Sequence, residues 1–379
     1  MIRNAIIGAA MLGALSTGTA FATSSVEPRP NGPIYSGIPG ALPPGFVYRY
    51  NDPGHSWPVR PVHKQHPIRG SFLDPRGPDN DGLGGYHFGV DINVDDRHPD
   101  AGAPAGLSHR VYALESGVVS EPVNDPKRSC GNRRLDIGHF AYWHTSPTVH
   151  VLQRVRTGQQ IGWTCTGEWH VHVSEWQMFR GVRVWVNPLH HGGKLVPFVD
   201  SLAPLVSDLS FHTRPTAPWT PTVDLAQPDT SLRLPATRLR GAVEVRARIE
   251  DPQSFLGFLR RKPSWAAFHH PYLVSIEIRT ATGRIVLRRI SFRSDQLPQT
   301  PYLVHYAPGT SQNASIAECV GPPSATDCGG RFWFRPLSRF RQEFWDTRSG
   351  PNGKYTVIVR AADLAGNVGE RRQTVIVAN

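Results

Sequence analysis

The sequence predicts an all-β protein, and three observations favour that fold class. Apolar and polar residues alternate over short runs such as 243–249 and 274–279, which is typical of half-buried strands. The 379 residues include 35 prolines and 36 glycines, and these residues bound most of the runs, as turns require. No long stretch shows the apolar periodicity of a helix. We therefore expect an antiparallel-sheet domain with large loops, followed by a small β-sandwich domain.

Residues 1–22 have the features of a signal peptide. Arg3 precedes an apolar stretch over residues 5–15, and small residues before and at Ala22 suit cleavage after that position. The mature chain is therefore expected to be exported. No later stretch approaches the roughly 20 apolar residues of a membrane-spanning helix, so we expect no stable membrane span.

Proline and glycine clusters divide the rest of the chain. Residues 23–70 are a Pro/Gly-rich lead-in, and residues 201–234 are a Pro-rich linker. Residues 71–200 hold brief strand-like runs bounded by Gly, Pro, Asp or Asn, and we expect this region to fold and keep its activity without residues 235–379. Residues 235–379 show cleaner alternation, which predicts the β-sandwich. The stretch 353–368 resembles the final hairpin of bacterial immunoglobulin-like domains.

The four cysteines lie two by two in the predicted domains. Cys130 and Cys165 belong to the first, and Cys319 and Cys328 to the second. In the oxidising environment of an exported protein this distribution suggests one disulfide in each domain, while four cysteines allow three connectivities. Zinc ligation by cysteine is disfavoured in that environment.

The chain is basic, with a net charge of +11 that acidic surfaces attract. For an exported protein we expect anionic wall polymers or lipid headgroups as those surfaces, and no nucleic acid. Arginines of the predicted sandwich strands are expected on the solvated face, and their common charge leaves anionic-polymer binding as a second interpretation. These arginines include Arg246, Arg248, Arg288 and Arg289.

Two motifs combine histidine with a carboxylate in a pattern typical of a metal site. His170 and His172 flank Val171 in a strand-like run, so both imidazoles point to one face of the strand. His87 and Asp91 form a His-x-x-x-Asp motif upstream. Imidazole and carboxylate are ligands that zinc accepts, and a catalytic zinc site has three protein ligands and leaves a fourth position to water.

The order of the motifs resembles that of the lysostaphin-type zinc endopeptidases over about residues 80–190. The landmarks are His87 to Asp91, Tyr142-Trp143-His144, residues 155–162 and His170 to His172. The resemblance implies that His87, Asp91 and His172 bind Zn²⁺. It implies that His170 and His144 act on the water and the oxyanion. His150 also precedes residues 155–162 at a suitable distance and remains the alternative to His144.

The chain departs from the family's pattern in two places. Val173-Ser174-Glu175 follows the His-x-His, where the family has an aromatic residue and a glutamate. Cys165 and the segment around Cys130 are additions. These departures leave the metal ligands intact and concern the shape of the substrate groove.

The resemblance implies a secreted, periplasmic or cell-wall-associated zinc metalloendopeptidase that hydrolyses peptide bonds of bacterial peptidoglycan through an activated water. A catalytically silent zinc-binding wall protein that scaffolds or activates another hydrolase is the first alternative. Such a protein would be expected to have lost ligands, and this chain has the full set. A wall-binding adhesin that uses residues 235–379 is the second alternative.

Overall fold

The computed structural model describes residues 56–76, 85–122, 129–179, 182–189, 195–216, 229–252, 268–310 and 331–379. The predicted signal peptide, most of the lead-in and the second cysteine pair lie outside these ranges. Inside them the regular structure is β-strand, apart from short 3-10 turns at Cys130–Asn132, Tyr302–Val304 and Thr347–Ser349. The predicted all-β class is confirmed. None of the described residues forms a helix long and apolar enough to cross a membrane.

Eleven described strands precede residue 200. They are β1 (Ile68–Gly70), β2 (Val90–Asn93), β3 (Leu107–Tyr112), β4 (Gly117–Pro122), β5 (Arg134–Ile137), β6 (Phe140–Trp143), β7 (Thr145–Pro147), β8 (Arg154–Val155), β9 (Gln160–Cys165), β10 (His170–Phe179) and β11 (Val182–Val186). Eight of them form one sheet in the order β1-β2-β10-β6-β5-β4-β8, with β11 also paired to β10. A second sheet has the order β3-β9-β7. All of the pairings are antiparallel, as expected.

Ten described strands follow residue 200. They are β12 (Leu205–Thr213), β13 (Arg233–Leu234), β14 (Ala242–Pro252), β15 (Phe268–His269), β16 (Leu273–Thr280), β17 (Ile285–Arg293), β18 (Trp333–Phe334), β19 (Trp345–Asp346), β20 (Gly353–Ala362) and β21 (Val368–Val377). One sheet has the order β13-β12-β14-β15, with β18 and β19 on β14, and the other has the order β17-β16-β20-β21. The alternation at 243–249 and 274–279 thus marks real strands, because the apolar side chains at every second position there are all buried.

The arginines of β14 do not all lie on a solvated face, and the expectation for Arg246 is wrong. Its side chain is buried between Glu244, which is 2.6 Å from its Nε, and Asp229, which is 2.5 Å from Nη1. Strand β14 is paired along both edges, and the segment carrying Arg335 covers its polar face, where Arg335 pairs with Glu244. Arg288 is exposed as expected. The charge of β14 therefore belongs to an internal ion-pair network.

Two stretches predicted as connections contribute to the core. Trp57 and Ile68, both placed in the lead-in, are fully buried, and the Trp57 indole donates to the Pro197 carbonyl at 2.9 Å. Residues 205–213, placed in the linker, form β12 along β14. The frequent prolines near residue 215 favoured a linker in the sequence, although Leu209 and Phe211 alternate in the pattern of a strand and are buried.

The described residues before and after residue 200 pack against each other and share one hydrophobic core. Ser71–Asp74 forms a tight turn, here named the Ser71–Asp74 turn, in which the Asp74 amide donates to the Ser71 carbonyl at 3.1 Å. His270 Nε2 donates to the Phe72 carbonyl at 2.7 Å, and the Tyr306 hydroxyl donates to the Leu73 carbonyl at 3.0 Å. Independent folding of residues 71–200 stays a prediction, and these bonds give a reason to test it.

Candidate metal centre

The candidate site lies where β2 runs antiparallel to β10. The register sets His172 opposite Asp91, and Val171 and Val173 of β10 are buried in the core below. Because side chains alternate along a strand, His170 and His172 lie together on the opposite face. His87 joins them from the segment before β2, where its backbone is bonded to the Ser71–Asp74 turn at both N–H and C=O. The structure thus brings together all three residues predicted as ligands.

Three potential ligand atoms converge at this place. His87 Nε2 is 2.8 Å from His172 Nδ1, and both nitrogens approach Asp91 Oδ1, at 3.1 Å and 3.0 Å respectively. All three side chains are buried. Two imidazole nitrogens and a carboxylate oxygen at these separations form a group that could hold a metal ion.

The atoms on the far side of each ligand have partners of their own. His87 Nδ1 donates to the Ser71 carbonyl at 2.8 Å, so its lone pair lies on Nε2. His172 Nε2 is 2.7 Å from Ser174 Oγ, and with that nitrogen as the donor its lone pair lies on Nδ1. Arg76 binds Asp91 Oδ2 at 2.7 Å and leaves Oδ1 for the centre. Outer bonds of this kind set the tautomer and orientation of metal-binding side chains, so the donor set fits a metal.

The electrostatics of the centre favour an ionised Asp91 carboxylate and a neutral His172 imidazole. Burial by itself raises the pKa of the Asp91 carboxyl, but His87, His170 and Arg76 together hold that pKa well below its usual value. Burial lowers the pKa of His172 to about 3, with His87 acting in the same direction. Metal ions bind carboxylate and neutral imidazole, so Asp91 and His172 have the required protonation state at neutral pH.

His170 stands beside the three ligand atoms and outside their group. Its Nδ1 donates to the Glu168 carbonyl, which puts the lone pair on Nε2, and Nε2 is 3.4 Å from Asp91 Oδ1. Arg69 Nη1 donates to the same Glu168 carbonyl at 2.8 Å. Burial lowers the pKa of His170 to about 3 in spite of the nearby Asp91 carboxylate, so this imidazole is neutral at neutral pH.

His144 is the second histidine that lines the centre. Its ring centroid is 4.5 Å from that of His170 and 6.3 Å from that of His172. The ring is held by a hydrogen bond from Nδ1 to the Gly131 carbonyl. His150 is exposed in the loop between β7 and β8, where its amide donates to the Gln153 side chain at 3.1 Å. Of the two alternatives, the structure therefore brings His144 to the site.

The first predicted disulfide is present, and it lies next to His144. Cys130 and Cys165 are bonded, with their Cα atoms 5.7 Å apart. Cys130 immediately precedes Gly131, whose carbonyl accepts the His144 bond, and the Cys165 amide donates to the His144 carbonyl at 2.9 Å. The additions to the family's pattern thus contribute to the placement of His144.

The backbone around the centre is unusual at three positions that are not glycine. Leu73, His144 and Trp169 have φ values of 75°, 58° and 60°, in the left-handed region that side chains disfavour. Leu73 belongs to the Ser71–Asp74 turn, and Trp169 directly precedes His170. Such conformations persist only where the surroundings hold them, and they concentrate at functional sites.

Gly89 permits the close approach of His172 and Ser174. A Cβ at position 89 would lie 2.5 Å from His172 Nε2 and 2.8 Å from Ser174 Oγ. On the apolar side, the rings of Phe88 and Trp143 are 5.0 Å and 6.3 Å from the His172 ring. The imidazole is therefore packed on one side and bonded on the other.

The sequence reasoning missed the residues that orient the ligands. Ser174 could have been found, because it lies two positions after His172 on the same face of β10. Arg69 and Arg76 belong to no sequence motif that would mark them as partners of the site. Ser71 and Gly131 act through their main-chain carbonyls, which the identity of the side chain does not reveal. Their roles follow from chain segments that only the fold brings together.

Comparisons with known proteins add little to this geometry. No family model matches the chain, and no curated protein matches it. Among solved structures, the chain is similar to Helicobacter pylori Csd3 in an orthorhombic crystal, with a TM-score of 0.25 and 19% identity over 36% of this chain and 34% of that chain. For Csd3 in a hexagonal crystal the TM-score is 0.21, with 15% identity over 34% of this chain and 32% of that chain. In each case the chain spans about a third of the length of the structure that it matches. At these scores the match carries no argument about function, so the functional argument has to come from the geometry of the site.

Proposed function

We propose that the chain is a zinc-dependent endopeptidase that hydrolyses peptide bonds of bacterial cell-wall peptidoglycan. The observation that carries the proposal is the convergence of His87 Nε2, Asp91 Oδ1 and His172 Nδ1 within about 3 Å of one another. The outer atom of each ligand is already bonded, so the three inner atoms are directed at a common point.

Zinc fits this donor set better than the hard divalent cations do. Calcium and magnesium take oxygen ligands, whereas two of the three donors here are imidazole nitrogens. Zinc, when bound, supplies Lewis acidity that makes water a nucleophile at neutral pH. Three protein ligands are the number found in catalytic zinc sites.

The two remaining histidines take the proton-transfer roles. His170 is neutral at neutral pH and has its lone pair on Nε2, so it can accept a proton from the attacking water. The Gly131 carbonyl fixes His144 next to His170 by accepting a hydrogen bond from Nδ1, so His144 Nε2 can donate to the oxyanion that develops on the peptide carbonyl when that nitrogen carries a proton. Arg69 and the Glu168 carbonyl are positioning groups for His170.

Two kinds of observation support peptidoglycan as the substrate: the sequence motifs and the residues around the site. The motif order resembles the lysostaphin-type endopeptidases, and the predicted signal peptide would export the chain to the compartment of the wall. Asn93, the residue paired with His170, is among the residues that line a cleft of about 610 Å³, and so are Arg60 and Lys64. Cationic residues there suit the anionic carboxylates of stem peptides.

The proposal is tested by digesting defined peptidoglycans with the purified chain and identifying the fragments by mass spectrometry. We expect new peptide amino termini, loss of the products with a chelator, and their return when zinc is restored. Cleavage that persists at full rate after metal removal, or breakage of glycosidic bonds only, would overturn the proposal. Stoichiometric zinc without any new peptide ends would instead identify the silent scaffold protein.

A further inference from the structure

A second group of potential ligand atoms lies far from the first along the chain, in the region after residue 195. Asp200 precedes β12, Asp251 is the last residue but one of β14, and Asp363 directly follows β20. One carboxylate oxygen of each residue lies within 4.8 Å of the other two. Asp251 and Asp363 are 7% and 3% exposed. Three chain segments therefore meet at a buried set of oxygens.

The Asp251 carboxylate lacks the partner that a buried acid requires. Its Oδ1 is buried, and it accepts no hydrogen bond from the residues that the structure describes. An ionised carboxylate taken out of water without compensation is strongly unfavourable. Burial, and then the charges of Asp200 and Asp363, raise the pKa of Asp251 to about 9. Among the residues that the structure describes, the charged groups that raise the pKa of this carboxyl are both acids.

The other two acids are held in place from outside the cluster. The Asn367 side-chain amide donates to Asp363 Oδ2 at 2.7 Å and to the Asp200 main-chain carbonyl at 3.0 Å. Asp363 Oδ1 also accepts a hydrogen bond from the backbone N–H of Asn367 at 2.9 Å, and Asp200 Oδ1 accepts one from the backbone N–H of Leu202 at 3.2 Å. The cluster is therefore fixed before any cation arrives.

We propose that Asp200, Asp251 and Asp363 bind one calcium ion that fastens residue 200 to the ends of β14 and β20. The donors are all oxygens, and three carboxylates suit a hard divalent cation. Calcium tolerates irregular coordination with about six to eight oxygens, which three carboxylates and water can supply, whereas magnesium demands a near-ideal octahedron. The ion also supplies the positive charge that Asp251 lacks.

The experiment uses the full-length chain saturated with zinc and freed of calcium. Calcium is titrated while thermal unfolding is followed, and calorimetry gives the stoichiometry. We expect one calcium per chain and a rise in Tm of at least about 3 °C at a hundredfold excess over Kd. No binding at millimolar calcium, or an equal response to magnesium, would overturn the proposal.

Variants then locate the ion. Asp251→Asn and Asp200→Asn should abolish the rise in Tm. Asp251→Asn should be at least as stable as the wild type without calcium, since it removes an acid that folding must keep protonated in a buried place. Asp346→Asn is the matched control, because Asp346 is an exposed acid paired with Arg348 in the same region, and it should keep the full response. His172→Ala should keep it too. Wild-type calcium binding in both Asp251→Asn and Asp200→Asn would refute the site.

Discussion

The two clusters of this molecule have the same number of ligand atoms and differ in their surroundings. In the metal centre, the outer atom of every ligand is bonded, and Arg76 balances the charge of Asp91. In the acidic cluster, Asp251 Oδ1 has no partner among the described residues and its charged neighbours are acids. The pKa of Asp91 is accordingly far below its usual value, and that of Asp251 is far above it. Burial raises the pKa of both carboxyls, and only at Asp91 do the neighbouring groups overcome that effect.

The largest effect should follow from removing a ligand of the metal centre. His87→Ala, Asp91→Ala and His172→Ala should each lose zinc and nearly all peptidase activity, because two ligands cannot hold the ion in an open site. Elemental analysis and hydrolysis of a soluble peptide measure both losses. Asp251→Asn should keep its zinc, since its cluster binds a different ion. Near-stoichiometric zinc in all three ligand variants would exclude the assignment.

The next effect separates proton transfer from ligation. His170→Ala should retain zinc and lose activity by about 10²–10⁴-fold, because it removes a group that accepts a proton and not a ligand. His144→Ala should behave in the same way, and the exposed His150→Ala should be close to the wild type. Loss of zinc in His170→Ala would make it a ligand. Normal activity in His144→Ala together with an inactive His150→Ala would transfer the role to His150.

A smaller effect tests whether the metal centre depends on the region after residue 200. Tyr306→Phe removes the hydrogen bond to the Leu73 carbonyl, and the Leu73 amide in turn donates to the His87 carbonyl. Because Tyr306 does not bond a metal ligand itself, we expect zinc affinity to fall by less than the roughly tenfold typical of groups that do. Tyr355→Phe is the matched control, because it removes a comparable bond to the Pro351 carbonyl away from the centre. Competition with a chromogenic chelator gives both affinities. Equal zinc affinities in the two variants would show that the Ser71–Asp74 turn needs no support from Tyr306.

The smallest effect is a pH dependence of opposite sign at the two clusters in the metal-free chain. The pKa values of His170 and His172 are lowered from 6.5 to about 3, so stability should fall as the pH drops below 6.5. The pKa of Asp251 is raised from 3.8 to about 9, so its contribution is full below pH 3.8 and declines as the pH rises towards 9. The Tm of Asp251→Asn should therefore exceed that of the wild type by at least about 2 °C at pH 8, and by less at pH 5. A constant difference across that range would contradict the prediction.

The sequence predicted those features that depend on local periodicity. Alternation in β10 put His170 and His172 on one face, and alternation in β16 identified a real strand. The features it could not predict depend on segments distant in sequence. The hydroxyl of Tyr306 meets a carbonyl 233 residues away, which no local pattern encodes. Arg246 was misplaced because a strand paired on both edges and covered on both faces buries polar residues as well as apolar ones.

The bond between Cys130 and Cys165 makes the arrangement around His144 dependent on the redox state of the compartment. It closes a loop with a sequence separation of 35, which by chain entropy corresponds to about 4 kcal/mol of stability. Before oxidation, the three metal ligands are present, yet the Gly131 carbonyl that holds His144 is no longer fastened to β9. A newly made chain in a reducing cytoplasm should therefore bind zinc without hydrolysing its substrate efficiently. Zinc content and peptidase rate measured before and after mild reduction, with Cys130→Ser/Cys165→Ser alongside, will show whether the proposed activity depends on this disulfide.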